Sequence, residues 1–147
     1  MADLRERVLW WAVKRRVDID KPFIIAITGS IAKTSTKVAI GAVLRRAFPN
    51  QVRVGFGNLN SFLGVPLAIL DFKVDFYKQN ITWQWIWILK LAIWRGLFGR
   101  LPEYLLLEYG ADKPGDIEQL GKMLPLDVAI ITLTGAAHLA NYPSLDA

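Results

Sequence analysis

A glycine-bearing turn followed by lysine, threonine and serine, "ITGSIAKTSTK" at residues 27–37, gathers the residue types that hold phosphate. In such a turn the backbone N–H groups and the positive end of the following helix face an anion. The lysine adds a point charge, and the next hydroxyl can reach a Mg²⁺ ion. Gly29, Ser30, Ala32, Lys33, Thr34 and Ser35 are therefore candidate contacts for ATP, with Lys33 on the outer phosphates and Thr34 on the metal. The glycine usual six residues before the lysine is replaced by Ile27, and Gly29 stands four before it instead. Ala32 departs in a second way. Alanine keeps its N–H, but its Cβ disfavours a positive φ by about 1–2 kcal/mol, so the loop is weakened if that position must be left-handed. The same residues also fit an ordinary strand–turn–helix with an exposed lysine.

Glu108 ends the apolar run "LLLE". At the carboxyl end of a buried parallel strand it faces the ligand crevice, where a carboxylate can hold a nucleotide-bound metal. Capping a helix or pairing with a lysine are the alternatives. His138, the only histidine, lies in "TGAAHLANY". A hydrogen-bonding role is the ordinary reading there, since Mg²⁺ prefers oxygen to imidazole.

The elements that would position these groups follow from periodicity and punctuation. Asp3 to Arg16 reads as a basic amphipathic helix ending before "VDIDKP". "FIIAIT", "VRVGF", "YLLLEYG" and "DVAIITL" read as strands; Thr34–Phe48, much of 78–98 and "PGDIEQLGKML" read as helices. "GNLNSFLGVP" reads as a loop by composition. Strands alternating with helices imply an α/β fold, a mostly parallel sheet with flanking helices.

With 147 residues, 53% of them hydrophobic, the chain can bury one core. The absence of cysteine excludes disulfides and thiolate metal sites and suits a reducing cytoplasm. A net charge of +5 suits an anionic partner, and no nucleic-acid module is visible, so none is expected. Four of the six tryptophans crowd into "WQWIWILKLAIW". As a helix this segment aligns Trp83, Trp87, Lys90 and Trp94 in one stripe. Tryptophan with a snorkelling lysine suits a membrane–water interface. Packing on its own domain, against "VLWWAV" of the first helix, is the other reading. A spanning helix is disfavoured by Lys90 and Arg95.

Taken in order, these motifs resemble the central, ATP-binding domain of the Mur ligase family from about Lys21 to Ala147. "ITGSIAKTSTK" matches the family's phosphate loop except at Ala32. "GNLNSFLGVPLAIL", with Asn58 and Asn60, is similar to the asparagine-rich loop of the branch that adds D-alanyl-D-alanine to a UDP-N-acetylmuramoyl-peptide. Ser61 stands where a second asparagine is usual, Leu133 replaces a common asparagine, and Pro143 a common glycine. "LLLEYGADKPGDIEQL" resembles the stretch supplying a Mg²⁺-binding glutamate, here Glu108, and "DVAIITLTGAAHLANYPSL" the stretch supplying a histidine to a second metal site, here His138.

The resemblance implies a partial P-loop-type nucleotide-binding domain over 21–147, with a Trp-rich helical insertion at 77–101 and a separate basic helix at 1–20. It implies catalysis resting on Lys33, Glu108 and His138, with Thr34, Glu108 and His138 as metal ligands. The activity implied is carboxylate–amine ligation through an acyl phosphate in peptidoglycan precursor synthesis. ATP and Mg²⁺ are the cofactors, and the setting is cytoplasmic or peripheral at the inner face of the membrane. Measured against the family, the flanking domains and a downstream lysine are absent, so the expectation is a fragment incomplete on its own. The rival expectation is a non-catalytic nucleotide-binding or membrane-associated remnant, which Ala32, Ser61 and Leu133 favour slightly.

Overall fold

The computed structural model describes residues 3–73, 84–133 and 135. Nine elements run in the order α1 (Leu4–Asp20), β1 (Phe23–Thr28), α2 (Lys33–Ala47), β2 (Val52–Val54), α3 (Gly64–Ile69), α4 (Gln84–Phe98), β3 (Tyr104–Glu108), α5 (Asp116–Gly121) and β4 (Val128–Ile131). The four strands form one sheet in the order β2-β3-β1-β4, and every neighbouring pair is parallel.

Parallel strands covered on both faces need apolar residues in succession rather than alternation, which is what "FIIAIT" and "YLLLE" supply. Ile25, Ile27 and Leu106 face α2, packing with Ile40 and Leu44. Ile24, Ala26, Leu105 and Leu107 face the other side, into a larger core built with α1, α3 and α4. The register sets Ile27 beside Glu108, so β3 delivers its acid next to the residue where β1 gives way to the phosphate loop.

Two boundaries differ from the sequence expectation. α1 continues past Arg16 to Asp20. The buried Arg16 guanidinium pairs with Asp20 one turn later, and Asp20 also accepts the Leu101 N–H at 2.8 Å. Those contacts lock the last turn, which ends on a left-handed Lys21 whose N–H reaches Val17 O. Burial pushes the Asp20 carboxyl up, but the Arg16 and Leu101 hydrogen bonds outweigh it and its pKa falls below the ordinary 3.8. The loop "GNLNSFLGVP" is a loop only through Leu63, because Gly64–Ile69 is helical and fully buried. Pro66 is tolerated there as a first-turn residue. The Trp-rich helix is described from Gln84 onward, and Trp83 lies outside the described residues.

α1 opens with a capping box between Asp3 and Glu6. Its Trp10 braces the asparagine loop, donating to Phe62 O at 2.9 Å with the two rings 5.3 Å apart. α4 lies against α1 as an outer layer, presenting Ile88, Ala92 and Gly96 inward. A Cβ on Gly96 would sit 2.8 Å from Ala12 Cβ and 2.9 Å from Ala12 Cα. The helices thus cross at a glycine–alanine contact, and Gly96→Leu should cost about 1–3 kcal/mol by overpacking. Chemical denaturation should show it as a lowered midpoint with an unchanged slope.

Candidate functional site

The carboxyl edge of the sheet brings the phosphate loop, the asparagine loop and the end of β3 together. The phosphate loop leaves β1 at Gly29, whose φ of 133° suits glycine, and a Cβ there would lie 2.2 Å from Thr132 Oγ1. That hydroxyl lies 2.7 Å from Ile31 O and 3.1 Å from Thr28 O, within reach of both acceptors. The Ser30 and Ile31 N–H groups donate to Leu133 O at 2.9 and 3.2 Å. Ser30 Oγ exchanges hydrogen bonds with Gly135 O and Gly135 N at 3.1 and 3.2 Å. Ser30 therefore faces the segment after β4, and the loop's capacity for an anion falls to the amino end of α2.

That end is open. Its N-cap is Ala32, at φ 67° and ψ 9°, with no side-chain cap, and the first turn holds no acid. The left-handed conformation that glycine would adopt freely is here imposed on an alanine. Lys33, in the first turn, folds its ammonium back onto Gly29 O. Thr34 and Ser35 are exposed. Thr28 Oγ1, at the root of the loop, is buried without a hydrogen-bond partner.

Glu108 is the centre of the site. Its carboxylate is 4% exposed, yet three side chains from two other segments meet it. Thr34 Oγ1 donates to Oε2 at 3.2 Å, Asn60 Nδ2 donates to Oε1 at 3.3 Å, and Lys37 Nζ stands 2.9 Å from Oε2. Lys37 is itself 3% exposed and also donates to Gly57 O at 2.7 Å. Asn60 O in turn accepts the Gly110 N–H at 2.7 Å. Asn58 contributes its carbonyl to Asn60 N–H at 2.9 Å, while its side chain is exposed. His138 lies outside the described residues.

Lys37 is the residue that reading the sequence missed. The signal was its place three residues after Thr34, which sets both side chains on one face of α2. A buried Glu108 demanded a counter-charge, and this lysine stood within the same motif.

Among the described residues no three histidine, cysteine, aspartate or glutamate side chains are grouped so that they could hold a metal ion by themselves. One buried carboxylate beside one hydroxyl is nonetheless a donor set that fits Mg²⁺ arriving with a nucleotide. That ion is held through one or two carboxylates while phosphates and waters complete its shell. Thr34 and Glu108 are the residues that would hold it.

Two substitutions test this geometry. Ala32→Gly should raise stability by about 0.5–1 kcal/mol, since it relieves a left-handed alanine, seen as a higher Tm. Lys37→Met should cost about 3 kcal/mol by leaving Glu108 buried without its counter-ion. Most of that loss should be recovered when Glu108→Gln is added, in a double-mutant cycle.

No protein-family model matches the chain. Over 122 residues it is 32% identical to the UDP-N-acetylmuramoyl-tripeptide–D-alanyl-D-alanine ligase of Buchnera aphidicola, covering 83% of this chain and 20% of that enzyme. With the same enzyme of Rickettsia prowazekii it shares 29% identity over 126 residues, 86% of this chain and 22% of the relative. A crystal structure of MurF from Acinetobacter baumannii matches 99% of this chain and 26% of its own with a TM-score of 0.67 and 29% identity. The chain thus spans about a fifth of the length of the curated relatives it matches. Similarity in sequence and in backbone coincide over a parallel sheet whose edge carries the phosphate loop, the asparagine loop and Glu108, and the chain belongs to the Mur ligase family.

Proposed function

We propose that this chain is the nucleotide-holding part of an ATP-dependent amide ligase of peptidoglycan precursor synthesis, one that joins D-alanyl-D-alanine to a UDP-N-acetylmuramoyl-peptide. The observation that carries the reading is the convergence of Thr34, Lys37 and Asn60 on buried Glu108, beside the open amino end of α2. The likeness to ligases of that name supports the choice of substrates and favours an enzyme over a non-catalytic remnant. We assign residues 21–147 to a partial central domain, residues 77–101 to an insertion in it, and residues 1–20 to a helix that packs on that insertion.

In this reading the N–H groups at the start of α2 receive the phosphates of ATP, and Lys33 turns from Gly29 O to the outer ones. Mg²⁺, when bound, would neutralise charge developing on the transferred phosphoryl group. Thr34 Oγ1 and the Glu108 carboxylate would hold it, and His138 would serve a second metal as the family resemblance implies. Lys37 orients Glu108 and ties it to the asparagine loop through Gly57 O. The γ-phosphoryl group passes to a substrate carboxylate oxygen, leaving ADP and an acyl phosphate. The amine nitrogen of the dipeptide then attacks the carbonyl carbon, orthophosphate departs, and the nitrogen loses a proton as the amide forms. The protein's part is positioning and charge stabilisation. Nucleotide and UDP-linked substrates place the work in the cytoplasm.

Calorimetric titration with ATP and Mg²⁺ tests the reading. Lys33→Ala should weaken binding at least tenfold. Glu108→Gln should weaken binding of the Mg²⁺ complex more than that of ATP in the presence of a chelator. Affinities untouched by both substitutions would refute the site.

A further inference from the structure

The outer face of α4 is as apolar as its inner one. Ile88, Ala92 and Gly96 pack on α1, while Trp87, Leu91, Trp94 and Phe98 form a second stripe pointing away from the protein. Trp87 is 72% exposed, Phe98 71% and Trp94 56%. An exposed apolar stripe of this kind on a helix with only a few polar residues suits contact with lipid or with another apolar surface. The stripe continues onto α1 through exposed Trp11, whose ring edge would lie 3.3 Å from a Cβ on Gly96.

The charge carried by this segment of chain has one sign. From Tyr77 to Pro102 the chain carries Lys78, Lys90, Arg95 and Arg100 and no acid. The Lys90 ammonium lies 5.3 Å from the centre of the Trp87 ring, a lysine–tryptophan pairing suited to a headgroup layer. At the other end of α4, Trp94 borders a pocket lined by Arg16, Arg53, Asp71, Arg95 and Arg100. Asp20 pairs with Arg16 and also feels the charge of Arg100, while Arg53 and Arg95 donate to Ile69 O and Leu70 O; with Asp71, two acids face four guanidinium groups. A pocket with excess guanidinium beside a tryptophan stripe complements a phosphate that is attached to an apolar body.

We propose that α4 docks flat on an anionic membrane surface, with Trp87, Leu91, Trp94 and Phe98 entering the headgroup–acyl boundary and the arginine pocket receiving a lipid phosphate. In this docking the helix lies along the bilayer surface, and no helix among the described residues is long and apolar enough to cross a membrane. α2 covers the opposite face of the sheet from the α1–α4 layer, so docking through α4 leaves the sheet's carboxyl edge open to substrates.

The test is sedimentation of the full-length protein with vesicles of phosphatidylcholine alone or mixed with phosphatidylglycerol, alongside its tryptophan emission. Association with the anionic vesicles, a blue-shifted emission and weakening by salt are expected. The triple change Trp87→Ser, Trp94→Ser, Phe98→Ser should reduce partitioning at least tenfold without lowering Tm, since these side chains are exposed. Arg100→Ser should reduce it on anionic vesicles only. Equal binding of the parent and the triple variant, or no preference for the anionic lipid, would overturn the proposal. So would a parent that ignores vesicles, whether because another part of the protein covers α4 or because light scattering shows a dimer that the triple variant abolishes.

Discussion

The buried pair of Lys37 and Glu108 is the constraint on which the carboxyl edge depends. Two charges removed from water are tolerable only with close geometry and further hydrogen bonds. Here the carboxylate has Thr34 and Asn60 as additional donors, and the ammonium has Gly57 O as an additional acceptor. Because these groups come from α2, β3 and the asparagine loop, satisfying one acid fixes the relative position of three segments. The same pair sits under the open end of α2, so the core's electrostatic solution and the site's architecture are one arrangement.

Around that pair the backbone is held in conformations that local preference would not select. Ala32 adopts a left-handed φ of 67°, and Gly29 gives its missing Cβ position to Thr132. Strain of this kind persists where the surroundings over-determine it, and the bonds from Ser30 and Ile31 to Leu133 O supply that determination. On the far face the order is different. α1 and α4 meet through small residues, and Trp10 links α1 to the asparagine loop.

Much of this was legible in the sequence, for identifiable reasons. "FIIAIT" and "YLLLE" read as buried strands because their apolar runs are unbroken, and the turn at Gly29 with a helix starting near Lys33 and Thr34 was readable from its punctuation. The concern over Ala32 was likewise readable, because a Cβ matters only if φ is positive, and it is. What escaped depends on distant partners. α1 outruns Arg16 because Asp20 finds Leu101 across the fold, and "GVP" becomes helical because α3 is entirely buried. Lys37 was given no role because its partner is distant in sequence: only the fold sets the Glu108 carboxylate beside it. Ser30, read as a phosphate contact, is turned instead toward Gly135.

The hydroxyl of Thr132 has a consequence for the history of the chain as well as its shape. It bonds a carbonyl 104 residues earlier, and it occupies the space beside Gly29 that dictates how the loop turns. During synthesis the phosphate loop therefore emerges long before the residue that moulds it. Until β4 docks at the sheet edge, the loop lacks both its Leu133 acceptor and its Thr132 wedge. A chain that has paired β1 with β3 but not yet with β4 still lacks the contacts that set this turn, so the loop takes its folded shape only once β4 lies beside β1.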